Sequence, residues 1–119
     1  MAVERDWTKA VKVLVEKTNN GNIRWSEGHY PPDFRENAVG PVYKAVVGGR
    51  WLAVYEYSYK YYTDADEFEW RQQAAIEFVQ EDGTLEWKWP ETPLGWELLD
   101  AIRAQQAGAA HFYDQLVKD

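Results

Sequence analysis

The chain has no cysteine, one methionine and only two histidines among 119 residues. These shortages exclude chemistry before any motif is sought. Without cysteine there is no disulfide, no thiolate nucleophile and no cysteine-bound zinc. His29 and His111 stand far apart, in a loop and in the last helical segment, with no metal-ligand spacing around them, so no metal site is expected. Long apolar runs are missing too. The opening MAVERDWTKA has no apolar core of the kind a secretion signal carries, and no stretch approaches the ~18 residues that would read as a membrane span. A cytoplasmic protein that neither spans nor leaves through a membrane is the expectation.

Positive charge is scarce in one region. Residues 1–60 hold nine Lys/Arg against seven Asp/Glu, but residues 61–100 hold two against eleven, within a net charge of −7. That surface repels a phosphate backbone, so no nucleic-acid partner is expected, and it favours a basic protein partner. Nucleotide motifs are equally absent. VVGGR has neither G-x-G-x-x-G nor the Walker lysine, and its glycines suit a turn. Ser26 and Ser58 do not lie in G-x-S-x-G. No cofactor is expected.

Aromatic rings are abundant: seven Trp, eight Tyr and four Phe. With this much apolar material in 119 residues, one folded domain over residues 1–119 is the natural reading. Trp7, Val11, Leu14 and Thr18, with Ala10 beside them, mark one face of an N-terminal helix that Asp6 caps and Asn19-Asn20-Gly21 stops. NIRW, with Ile23 and Trp25 on one side, reads as a short strand. The segment SEGHYPPDFRENAVGP reads as a loop in which Tyr30 and Phe34 flank Pro31-Pro32 and pin the loop to the body.

Two hairpins follow. Gly48-Gly49 makes a tight turn that sets Ala45 opposite Leu52 and Tyr43 opposite Val54 on one face. Val46–Trp51, Lys44–Ala53 and Val42–Tyr55 then share the other. Asp82-Gly83 makes the second turn, pairing Phe78 with Trp87 and Ile76 with Trp89, and setting Glu77 against Lys88 on the reverse. Thr92 and Pro93 open one long C-terminal helix whose stripe runs through Leu94, Leu98, Ile102, Ala109, Phe112 and Leu116, reinforced by Leu99 and Tyr113; Gly108 is a point for a bend. The fold class is therefore α+β: an N-terminal helix, an antiparallel sheet of about five strands and a long C-terminal helix. Two helices cover one sheet face, which leaves the other polar or free for a partner.

The densest chemistry is WLAVYEYSYKYYTDADEFEW, residues 51–70. Trp51, Ala53, Tyr55, Tyr57, Tyr59 and Tyr61 alternate to one side; Leu52, Val54, Glu56, Ser58, Lys60 and Tyr62 point to the other. The second set turns from apolar to polar partway along, so the strand either switches its buried face at a bulge or packs on both sides near Gly48-Gly49. The acids Asp64, Asp66, Glu67 and Glu69 follow. Counted as a calcium loop from Asp64, the fifth, sixth and twelfth positions hold Phe68, Glu69 and Ala75, and the match fails. These acids read as a turn between strands.

Trp7, Leu14, Thr18, Gly21, Ile23 and Trp25, written W-x6-L-x3-T-x2-G-x-I-x-W, resemble the opening of certain small uncharacterised bacterial proteins. The likeness covers some twenty residues and implies a bacterial or phage source, with no activity attached.

The functional expectation is a non-catalytic protein that acts through its surface on another protein, in an accessory, inhibitory, immunity-like or chaperone-like role. Its contact residues are Trp51, Tyr55, Tyr57, Tyr59 and Tyr61, with Asp64, Asp66, Glu67 and Glu69 steering a basic partner. Pairing into a homodimer through an uncovered sheet face belongs to the same expectation. The competing readings are a small-ligand or carbohydrate site on the Tyr/Trp face and a hydrolase built on the clustered carboxylates.

Overall fold

A computed structural model describes residues 5–28 and 37–118. His29 and the expected pinning of the loop by Tyr30 and Phe34 lie outside those residues. The first helix, α1 (Trp7–Asn19), begins where Asp6 accepts a hydrogen bond from the Lys9 amide at 3.2 Å. It ends where the Gly21 amide reaches the Thr18 carbonyl. Val11, Leu14 and Thr18 are buried, as their spacing requires.

Five strands follow: β1 (Ser26–Glu27), β2 (Ala38–Val47), β3 (Arg50–Tyr62), β4 (Phe68–Val79) and β5 (Leu85–Lys88). They form one antiparallel sheet in the order β1-β2-β3-β4-β5, so each strand pairs with its neighbours in sequence. Ile23 and Trp25 are buried as expected, but the strand starts just after them, and NIRW is its approach. The Trp25 indole N–H donates to the Thr18 hydroxyl at 3.0 Å, which holds that approach against α1.

The Gly48-Gly49 turn sets β2 against β3 in the expected register, with Ala45 opposite Leu52, Tyr43 opposite Val54 and Lys44 opposite Ala53. Both glycines have positive φ, 59° and 78°, which a side chain would strain. The ladder slips between Val39 and Tyr43. Pro41 lies in that slip, where its missing N–H leaves no ladder bond to make. In the second hairpin Phe78 faces Trp87 and Glu77 faces Lys88. The Trp89 amide donates to the Ile76 carbonyl at 2.9 Å. Nearer the turn a shift sets Val79 opposite Leu85, because the Gln80 amide closes on the Thr84 carbonyl.

The C-terminal helix is two helices, α2 (Gly95–Ala107) and α3 (Ala109–Leu116). Gly108 caps the first in the left-handed region, φ 67°, and its amide bonds back to the Ala104 and Gln105 carbonyls. One such residue ends an α-helix and re-aims the chain. At the other end α2 starts two residues later than Thr92 and Pro93 would place it. Its N-terminal Gly95 lies against Ala74 of β4, where an added Cβ would come within 3.4 Å of the Ala74 methyl. Between Thr92 and the helix start lies a turn in which the Gly95 amide donates to the Thr92 carbonyl at 3.2 Å.

Both helices α1 and α2 lie on the Leu52/Val54 face. Val11, Leu14, Tyr43, Ala45, Leu52, Val54, Ile76, Trp89, Leu98, Leu99 and Ile102 form the main core. At one end Trp7 meets Trp89 edge-on at 4.7 Å and Trp87 at 5.1 Å, closing α1 over β5. At the other, Gln105 and Gln106 of α2 satisfy the backbone of Trp25, Thr18 and Ile23. On the reverse face a smaller core joins Val42, Ala53, Tyr55, Ala75 and Val79 under Trp51 and Tyr57. The sheet thus packs on both sides near the Gly48-Gly49 turn.

Candidate functional site

β3 and β4 pair without a slip from Trp51 opposite Val79 to Tyr62 opposite Phe68. The change of polarity along β3 is therefore not a bulge. It marks the edge of the helix layer. Leu52 and Val54 lie under the helices. Glu56 then accepts a hydrogen bond from Arg103 of α2 at 3.1 Å, and this bond raises the Arg103 pKa above its ordinary value. Beyond Glu56 the side chains emerge from cover, and β2 too has ended, its last partner being Ala38 opposite Tyr57. What continues is a two-stranded ribbon with a tip at Thr63–Glu67, within a molecule that measures 60 × 40 × 28 Å.

The tyrosine row is graded along this path. Tyr55 is 4% exposed, and its hydroxyl donates to buried Glu77 at 2.7 Å. Trp51 is half-buried, with the Lys44 ammonium 5.3 Å from its ring centre. Tyr57 is half-buried and donates to Glu91 at 2.6 Å, while Lys88 lies over its ring and reaches its hydroxyl at 3.4 Å. Burial, then the Glu91 carboxylate, push the Tyr57 hydroxyl well above its ordinary pKa, so it stays a neutral donor. Tyr59 is half-buried and Tyr61 is 43% exposed, with the Arg71 guanidinium stacked 3.4 Å from its ring centre. Glu69 pairs with Arg71 at 2.6 Å and holds it there, raising the Arg71 pKa.

Asp64, Asp66 and Glu67 form the exposed tip. Their loop is closed by backbone bonds between Thr63, Asp64 and Glu67, and Asp64 accepts from the Ala65 amide at 2.7 Å. The structure thus brings Tyr59, Tyr61, Asp64, Asp66, Glu67 and Glu69 to the far end of one ribbon. It sets Trp51, Tyr55 and Tyr57 at its root, where they support the sheet. The reverse side of the ribbon carries rings that the residue pattern alone did not single out: Tyr62, Phe68 and Trp70. Tyr62 and Trp70 are 60% and 59% exposed. Phe68 meets Tyr62 at 5.7 Å and Trp70 at 5.9 Å, with the Lys60 ammonium over Phe68 at 4.6 Å. Their period-two spacing, matched to Lys60 and Tyr62 across the ladder, was the available signal.

Among the described residues, two hollows lie away from the tyrosine row. Glu56 and Tyr57 point to opposite faces, and His29 lies outside the described residues. A hollow of about 320 Å³ lies between the ends of α1 and α2 and the start of α3, lined by Arg24, Gln105 and His111 among others. A second, of about 410 Å³, lies beside Trp7, Pro90 and Thr92. Tyrosine lines neither. Among the described residues no three carboxylates or histidines converge as a metal site would require. None of their helices is long and apolar enough to cross a membrane. No family model, curated protein or solved structure matches the chain.

Proposed function

We propose that the protein acts without catalysis, by binding another protein through the aromatic and acidic ribbon at the end of β3 and β4. An accessory, inhibitory, immunity-like or chaperone-like role fits that mode of action. One observation carries the reading: the ribbon projects past the helices and past β2 with Tyr61 exposed on one side, Tyr62 and Trp70 on the other, and acids at the tip. A free-standing ribbon gains little from exposed rings, whereas an interface gains much, since aromatic residues dominate contact energies. The tip acids Asp64, Asp66 and Glu67, with Glu69 behind them, favour a basic partner and would raise its association rate at low salt. Trp51, Tyr55 and Tyr57 serve by stiffening the root. Stacking on a sugar gains less support, because cations of the chain itself already lie against Tyr57 and Tyr61.

The test is affinity capture from source-cell extract, comparing the wild type with Tyr59→Ser/Tyr61→Ser/Asp64→Asn/Asp66→Asn, both first shown to fold by circular dichroism and thermal melting. Proteins retained by the wild type should be lost from the variant, and their retention should weaken with added salt. If every retained protein survives the four changes, the tyrosine–acid surface is not the binding site.

A further inference from the structure

Among the described residues two apolar surfaces carry little cover, and they are of complementary kind. The first is α3. Ala109, Phe112, Tyr113 and Leu116 follow the i, i+3, i+4, i+7 spacing of one helix face, with His111 and Asp114 on the other. All eight residues are exposed, Leu116 at 69%, and the main neighbour of α3 is α2, the helix before it. An isolated helix of this length is not stable in water by propensity alone. The second is the reverse side of the ribbon, Tyr62, Phe68 and Trp70, which continues the helix-bearing face of the sheet past the last helix. Among the described residues one element is a helix stripe with no sheet beneath it and the other a sheet strip with no helix above it.

We infer that the protein forms a two-fold dimer in which α3 of each copy lies on the Tyr62/Phe68/Trp70 strip of the other. One magnitude supports a second copy as the occupant. In area, full-size aromatic side chains carry 150–250 Å² each, so at the observed exposures Phe112, Tyr113, Leu116 and Val117 together with Tyr62, Phe68 and Trp70 leave on the order of 800 Å² per chain. A reciprocal pair then buries on the order of 1,600 Å², the size of a standard stable interface. Every copy supplies both halves in equal number, and all of α3, which follows the left-handed cap at Gly108, is exposed. The strip lies on the opposite side of the ribbon from Tyr59 and Tyr61. The dimer buries Tyr62 and Trp70, while the capture variant changes only Tyr59, Tyr61, Asp64 and Asp66, so the two tests can fail independently.

The experiment is analytical ultracentrifugation of the full chain across protein concentration. It uses the wild type, Leu116→Asp and Trp70→Asp, each shown to melt as the wild type does. The wild type should sediment as a dimer at tens of micromolar, and each variant as a monomer, with the dissociation constant raised on the order of a hundredfold. Mixing the two variants decides the geometry. Leu116→Asp keeps its strip and Trp70→Asp keeps its α3, so one intact contact forms and a heterodimer should appear above either variant alone. A helix-to-helix dimer would survive Trp70→Asp and a strip-to-strip dimer would survive Leu116→Asp; either result would overturn the exchange, as would a wild type that stays monomeric, a mixture that stays monomeric or a dimer indifferent to both substitutions.

Discussion

The β3–β4 hairpin runs as one unbroken ladder through two environments. In its near half, from Trp51 to Tyr57, both faces are packed: Leu52, Val54 and Ile76 under the helices, and Ala53, Tyr55, Ala75 and Val79 in the smaller core behind. In its far half, from Lys60 to Trp70, every residue is exposed. The strands, pairing and aromatic content are alike in both halves. The difference lies in what the rest of the chain lays on them, so the same tyrosine is a core residue at position 55 and a surface residue at 61. A strand's role is set by its cover as much as by its own composition.

The largest expected effect breaks the comparison where cover is complete. Leu52→Ala opens a cavity in the main core and should cost about 2–5 kcal/mol in urea denaturation. Trp70→Ala removes a larger ring from the same ladder but, at protein concentrations low enough for the chain to be monomeric, should cost no more than about 1 kcal/mol, the worth of its contact with Phe68 and of its strand preference. Equal losses at the two positions would mean that the far half is covered after all.

The reverse face of the near half gives the next effect. Glu77 is 2% exposed and accepts the Tyr55 hydroxyl. Glu77→Ala leaves that hydroxyl buried with its acceptor gone and should cost about 1–3 kcal/mol. Adding Tyr55→Phe should recover part of the loss, because it removes the stranded donor, and a double-mutant cycle by thermal melting measures the coupling. Additive losses would show that the pair does not act as a unit.

How much of this was legible follows from how far each feature reaches. The Gly48-Gly49 register, the α1 face and its caps depend on residues within a few positions of one another, and the residue pattern carries them. The Leu94-to-Leu116 stripe is continuous in spacing across Gly108, so spacing alone reads one helix; only the left-handed turn at Gly108 separates a buried half from a bare one. The start of α2 was misplaced because Thr92 and Pro93 open a turn, closed by the Gly95 amide on the Thr92 carbonyl, and the helix begins only after it. The polarity change at Glu56 was visible, but its partner, Arg103 of α2, was not. For the candidate site, the tyrosines and acids were legible by composition. The grading from Tyr55 to Tyr61 and the Tyr62/Phe68/Trp70 strip required knowing where the helices stop.

The smallest effect is expected at the seam between the halves, where Tyr57, Gln73 and Lys88 surround Glu91 just after β5. The Glu91 carboxyl sits below its ordinary pKa, chiefly because the Tyr57 hydroxyl donates to it, with partial burial opposing. A depressed carboxylate binds its proton less readily in the folded chain than in the unfolded one. Its contribution to stability is therefore complete above the ordinary glutamate range and disappears as pH falls through the lowered folded value. Glu91 is exposed, so that contribution is small and screened by solvent. The sensitive readout is the carboxyl chemical shift followed by NMR from neutral pH into acid. The Glu91 midpoint should lie below that of an exposed glutamate, and Tyr57→Phe should move it back upward, though not fully, since Gln73 still donates at 3.3 Å. A midpoint indifferent to Tyr57→Phe would remove the hydroxyl as its cause. Because the latch ties the chain after β5 to the last covered tyrosine, its loss in acid should loosen β5 and leave the exposure of Tyr61 and Trp70 unchanged. The boundary between the two halves then depends on the helix layer, with the polar seam as a minor addition to it.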